Sequence, residues 1–257
     1  MISQRQDGSV TATETAPTHG ALHPLPRRLL AEFLGTALLV TIVVGSGVAA
    51  ANLSPDDVGI QLLENSLATV FGLAILIVML GPISGAHFNP VVTVADWFLS
   101  RKEAEGFSAL HIGPYVVAQA AGAVFGSVLA NAMFDVGTSF SSKERASGGH
   151  LLGEVVATAG LVLLIFSLVR TGRSALAAPA VGAYIGAAYW FTSSTSFANP
   201  AVTAGRMFSD TFAGIAPSSA PAFVVAQVVG AAVGAALILA LYPRSTASRV
   251  HQGETHV

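Results

Sequence analysis

Two asparagine–proline pairs stand in closely similar surroundings: Ser84-Gly85-Ala86-His87-Phe88-Asn89-Pro90-Val91-Val92-Thr93 and Ser196-Phe197-Ala198-Asn199-Pro200-Ala201-Val202-Thr203. The asparagines lie 110 residues apart (199 minus 89). Each carboxamide can cap a helix that starts at the proline, whose missing N–H would have had no partner there. Its own N–H groups can also donate to a small polar molecule. Both pairs sit between strongly apolar segments, and irregular backbone at membrane depth is tolerated only inside protein or beside a water-filled cavity. A polar pathway through a bilayer is the chemistry this pattern suits. Glu32, Glu154 and His87 are the other polar groups at issue. A carboxylate inside an apolar span costs several kcal/mol unless it is paired or faces a cavity. That leaves a proton relay or a hydrogen-bonding brace as the readings for Glu32 and Glu154. A lone histidine beside a re-entrant loop reads as a brace rather than a gate or metal ligand.

The surrounding elements must hold these groups in the membrane. Mean hydropathy is +0.66 and only 10% of the 257 residues are charged, far below the roughly one quarter of a soluble domain. Six stretches, 29–52, 62–80, 112–134, 151–169, 174–191 and 220–242, approach the roughly 20 apolar residues of a spanning helix. The segments 90–99 and 200–210 are helical in character but too short to span. Each is expected to enter from one face and stop near the midplane, with Asn89 and Asn199 as N-caps. The repeat continues outside the boxes. Ala31-Glu32-Phe33-Leu34-Gly35-Thr36 resembles Gly153-Glu154-Val155-Val156-Ala157-Thr158, and Gln119-Ala120-Ala121-Gly122-Ala123 resembles Gln227-Val228-Val229-Gly230-Ala231. Three spans per half give the halves opposite orientation, an inverted repeat. Gly35, Gly122, Gly126, Gly160, Gly182, Gly186, Gly230 and Gly234 suggest close helix packing, the last two and Gly122/Gly126 at small-xxx-small spacing.

Charge placement sets the orientation. Arg27, Arg28, Arg101, Lys102, Arg170, Arg173, Arg244 and Arg249 fall on one side if six spans are counted. Asp56, Asp57, Lys143-Glu144-Arg145 and Arg206 fall on the other, so both termini are expected in the cytoplasm. Residues 1–26 read as a disordered cytoplasmic tail, 27–134 as the first repeat, 135–150 as an extracytoplasmic loop, 151–243 as the second repeat and 244–257 as a second cytoplasmic tail. A signal peptide is rejected because Glu32 interrupts the first apolar run, which is also too long. The absence of cysteine removes disulfide and thiolate chemistry.

The duplicated boxes, the Ser-Gly-Ala-His lead-in, the repeated glutamate and the six spans resemble the aquaporin or major intrinsic protein family over roughly Arg27 to Tyr242. The resemblance implies an all-α membrane protein of six transmembrane helices and two re-entrant half-helices. It also implies a homotetramer in the cell's inner or plasma membrane, with one passive pore per protomer, Asn89, Pro90, Val91, Asn199, Pro200 and Ala201 at the pore centre, and Glu32, Glu154 and His87 bracing the loops. Val91 stands where that family's first box normally has alanine.

In most members an arginine stands three residues after the second asparagine; here that residue is Val202. Arg206, one helical turn further, is expected to brace or to reach solvent, not to substitute. Counting back from the asparagines gives Ala187, Ser196 and Thr69 as the remaining constriction positions, with Phe71 a rival to Thr69 under a two-residue shift. A ring of Thr69, Ala187, Ser196 and Val202 is wide, uncharged and mildly polar. It is expected to pass neutral solutes bulkier than water, such as glycerol, urea or arsenite. The missing arginine resembles a bacterial branch associated with arsenic resistance. A strict water channel is the alternative. An inverted-repeat secondary transporter is a weaker one, since only Glu32 and Glu154 could serve a coupling ion. The sequence has no His-Glu-x-x-His, Gly-x-Ser-x-Gly or phosphate loop, so no enzyme activity, catalytic residue, metal or cofactor is expected, and no nucleic-acid partner.

Overall fold

A computed structural model describes residues 23–243. The expected tails therefore lie outside the described residues for 1–22 and 244–257, which include Arg244 and Arg249. The chain is helical throughout its described elements: α1 (Leu25–Leu53), α2 (Val58–Ser84), α3 (Pro90–Ser100), α4 (Ile112–Met133), α5 (Gly148–Arg170), α6 (Ala177–Phe191), α7 (Pro200–Arg206) and α8 (Ala220–Leu241). Helix α1 begins at Leu25, two residues inside the expected tail, because Pro26 fits its first turn.

Five helices, α1, α2, α4, α5 and α8, are each long and apolar enough to cross a membrane. The expected span 174–191 is a 3₁₀ turn, Ser174–Leu176, leading into the 15-residue α6. Local capping fixes the starts. Asp57 accepts from the Ile60 N–H at 3.0 Å, and Ser147 from the His150 N–H at 3.3 Å. The second short helix stops earlier than expected, at Arg206 rather than 210, because the Met207 and Phe208 N–H groups turn back to the carbonyls of Ala204 and Gly205.

Each half is clamped by one close helix pair. A Cβ added to Gly122 or Gly126 would lie 2.3 and 2.2 Å from the α1 carbonyls of Phe33 and Ala37. Added to Gly230 or Gly234 it would lie 2.5 and 2.6 Å from the α5 carbonyls of Val155 and Ala159. Only glycine lets these backbones approach so closely. Many large apolar side chains on the outer faces are exposed, including Phe71, Phe125, Trp190 and Val225, as suits a surface meeting lipid rather than water.

Candidate functional site: a cavity between the two Asn-Pro boxes

The loops that deliver the asparagines have one backbone. In the first, Gly85, Ala86 and Phe88 take φ of 90°, 49° and 48°; in the second, Thr195, Ser196 and Ala198 take 61°, 51° and 48°. Non-glycine residues hold this left-handed region at about 1 kcal/mol or more each, so something must fix them. A buried carboxylate stands behind each loop. Glu32 accepts from the His87 N–H at 3.0 Å, the Phe88 N–H at 2.7 Å, the Ser84 hydroxyl at 2.6 Å and the Gln119 amide at 2.8 Å. Glu154 accepts from the Phe197 N–H at 2.9 Å, the Ala198 N–H at 2.8 Å and the Gln227 amide at 2.6 Å. The glutamines also donate to Thr93 at 3.0 Å and Thr203 at 2.9 Å, whose hydroxyls bond back to the carbonyls of Asn89 and Asn199. Glutamine and threonine complete this net, and sequence reasoning had not placed them at the site. Their signal was the matched glutamine spacing, 30 residues after Asn89 and 28 after Asn199.

The asparagines close the two loops on each other. The Asn89 side-chain oxygen accepts from the Val91 N–H at 3.1 Å, and that of Asn199 from the Ala201 and Val202 N–H groups at 2.9 and 3.3 Å. Each amide nitrogen then crosses to the opposite loop, Asn89 to the Ala198 carbonyl at 2.8 Å and Asn199 to the Phe88 carbonyl at 2.7 Å. An amide NH₂ has two protons, so one remains on each asparagine after that bond. Pro90 and Pro200 take the first positions of α3 and α7, and Val91 and Ala201 are buried beside them.

A cavity of about 540 Å³ passes both asparagines. Apolar side chains, among them Leu73, Val92, Leu161, Val181 and Ile185, make most of its wall. At one end stand Arg28, His87, Asp96 and Phe107. Arg28 is buried there, donating to the Tyr115 hydroxyl at 2.7 Å with its guanidinium over the Phe107 and Tyr115 rings at 5.4 and 5.2 Å. Sequence reasoning had used this residue only as a topological marker. The His87 ring is held at both nitrogens, 3.1 Å from the Thr93 hydroxyl and 3.3 Å from the Asp96 carboxylate. Among the described residues no three acidic or histidine side chains gather as a metal site.

The other end departs from the sequence expectation. Thr69, Ser196 and Val202 line the cavity, and Phe71 points outward, 66% exposed. Ala187 does not line it. That residue lies on the exposed face of α6, and Tyr189, 3% exposed, takes the inward position. Two residues rotate a helix by about 200°, so the twelve-residue count back from Asn199 lands on the wrong face; the inward residue is ten back. Arg206 does not reach solvent. It is 2% exposed, lines the cavity, donates to the Ala213 carbonyl and lies over the Phe197 ring at 3.5 Å. This end is therefore aromatic and cationic, not wide and uncharged.

The segment after α4 is tied to the same loop that receives Arg206. Arg145 donates to the carbonyls of Gly214 and Phe212 at 2.7 and 3.1 Å, and Lys143 to Phe212 at 2.9 Å. Burial, with Arg145 and Arg206 nearby, pushes the Lys143 ammonium down to about 8.

Residues 22–198 match the family described as Major intrinsic protein, a span that ends one residue before Asn199. The chain is 47% identical over 200 residues to Aquaglyceroporin AqpS of Rhizobium meliloti (strain 1021), covering 77% of this chain and 83% of that one. It is 36% identical to Aquaporin Z of Photorhabdus laumondii over 60% of this chain and 68% of that one, and 32% identical to the Glycerol uptake facilitator protein of Haemophilus influenzae over 63% and 67%. The fold matches the X-ray structure of the aquaglyceroporin from Plasmodium falciparum with a TM-score of 0.59 and 23% identity, covering 85% of this chain and 96% of that one. With its two boxes, its duplicated carboxylate net and these relatives, the chain belongs to the major intrinsic protein family.

Proposed function

We propose that glycerol-like neutral solutes, together with water, are what this passive membrane channel carries. The observation that carries the reading is the cavity itself: a mostly apolar space of about 540 Å³, ample in volume for a small polyol, with polar groups at the two asparagines and toward both ends. In it, the spare amide proton of Asn89 and of Asn199 meets a passing oxygen, and that contact interrupts a file of hydrogen-bonded water. The N-termini of α3 and α7 add positive potential at the same point, which disfavours cations and hydronium. Glu32, Glu154 and His87 hold the loops rather than relay protons, since their polar atoms are engaged by backbone and neighbouring side chains. A relative named for aquaglyceroporin activity and another named for glycerol uptake favour a solute larger than water. Urea and arsenite are the further candidates.

We infer that the halves are 27–134 and 151–243, joined by an extracytoplasmic loop. The Arg28 end opens to the cytoplasm, where Arg27, Arg101, Lys102 and Arg173 also lie. The protein resides in the inner or plasma membrane as a homotetramer. Stopped-flow measurement on proteoliposomes tests the solute reading: wild-type protein is expected to speed shrinkage and re-swelling in glycerol and arsenite as well as in water. Water flux alone would leave a strict water channel.

A further inference from the structure

We propose that Tyr189 and Arg206, two residues the family spacing does not point to, select the solute at the Arg206 end, and that they favour neutral molecules bearing hydroxyl groups. The inference rests on the channel reading above and deepens it.

The hydrogen-bond roles can be assigned atom by atom. Thr69 has one hydroxyl proton, and it donates that proton to the Asn65 carbonyl at 2.8 Å. The 3.1 Å contact between Thr69 and Tyr189 must then run from the tyrosine hydroxyl to the threonine oxygen. Tyr189 has spent its proton on α2 and presents only lone pairs to the cavity. Arg206 is the opposite. Its Nε is committed to the Ala213 carbonyl, and among the described residues no acceptor bonds its two terminal nitrogens. Stacking on Phe197 fixes the guanidinium plane. Ser196, 4% exposed, lies at the same end, and its hydroxyl has no partner.

An acceptor on Tyr189 and free donors on Arg206, both lining the same cavity, suit a molecule whose groups both accept and donate. A hydroxyl does both; an aliphatic solute of the same size does neither. A polyol or an undissociated oxyacid can accept from Arg206 and donate to Tyr189, whereas a cation meets a fixed positive charge. Position supports this. Arg206 lies four residues after Val202 on α7, about one helical turn, so the two share a face and Arg206 stands beyond it. The charge missing from position 202 is thus supplied to the same cavity from one turn later.

The test compares glycerol and water permeability in proteoliposomes carrying wild type, Tyr189→Phe, Arg206→Met, Arg206→Lys and Ala187→Leu. Tyr189→Phe removes one oxygen and keeps the ring, and is expected to lower the glycerol-to-water ratio about fivefold, the factor for one hydrogen bond. Arg206→Met should lower it comparably and raise potassium leak, while Arg206→Lys should keep the leak low. Ala187→Leu, on the outer face, should leave the ratio unchanged. Unchanged ratios in both Tyr189→Phe and Arg206→Met, or a changed ratio in Ala187→Leu, would overturn the proposal. If Arg206→Met does not fold, Tyr189→Phe decides alone. Wild-type vesicles impermeable to both solutes would defeat the channel reading and this proposal with it, which separates that failure from a misassigned filter.

Discussion

The two Asn-Pro boxes share a backbone and a hydrogen-bond net, yet they differ in chemistry two residues before and seven after the asparagine. In the first box those positions are His87 and Asp96, 3.3 Å apart. In the second they are Phe197 and Arg206, a guanidinium stacked 3.5 Å above a ring. Three residues after the asparagine both halves have valine, Val92 and Val202, and both valines line the cavity. The halves agree in the net that fixes the loops: glutamate, threonine and asparagine each hold a backbone N–H or carbonyl, glutamine ties the glutamate to the threonine, and removing any of them leaves an unsatisfied polar group. They diverge at side chains that take no part in that net and line the cavity. A histidine–aspartate pair beside Arg28 at one end and a lone stacked guanidinium at the other make the two ends chemically different, although the scaffold is duplicated.

The largest expected effect tests the shared net. Replacing Glu154 with alanine strands two loop N–H groups and removes one of the two acceptors of the Gln227 amide, and should destabilise the protein by about 3 kcal/mol or more, read as thermal unfolding in detergent. Glu32→Ala should be worse, because the Ser84 hydroxyl is stranded as well. Equal losses would show that the fourth donor counts for nothing.

Next comes the paired helix contact. Gly126→Ala and Gly234→Ala should each lower stability by about 1–3 kcal/mol, since the new methyl meets a backbone carbonyl that cannot move aside. A loss confined to one half would break the structural equivalence of the α1–α4 and α5–α8 pairs. A smaller change is expected for Asp96→Asn, about 1 kcal/mol in unfolding with water flux retained, because His87 keeps Thr93. A loss of all flux would give the His87–Asp96 pair a role in conduction beyond bracing.

The smallest effect is electrostatic. Lys143 loses its proton near pH 8, so raising pH from 7 to 9 removes one positive charge from the Arg206 mouth. Because its folded pKa lies below the ordinary value of 10.5, the charged lysine disfavours the folded state, and stability should rise slightly as pH passes from about 8 to 10.5. Lys143→Gln should flatten that rise, measured as unfolding temperature against pH. A slope that survives the substitution would assign the titration to another group.

Much of this was legible in the chain. The boxes, the six apolar stretches, the two glutamates and the small-residue spacing each carry a physical requirement that can be read locally, and the inverted repeat doubled the signal. Thr69 was reached by a count back from Asn89 that crossed only residues 85–88 before entering α2. Ala187 was misplaced because the count ran through the irregular stretch 192–198, whose path sets where α6 ends and which face turns inward. Arg28 gave no local sign of its site, since its partners Tyr115 and Phe107 lie 87 and 79 residues away.

The sequence by itself determined a bilayer-spanning helical repeat with two half-helices capped by asparagine, because hydropathy, proline and capping act within a few residues. Tertiary structure alone decided which side chains face the cavity. Helix rotation and the fold of the 209–216 loop brought Tyr189 in, turned Ala187 out and seated Arg206 on Phe197. These are contacts between distant elements, and no local spacing encodes them.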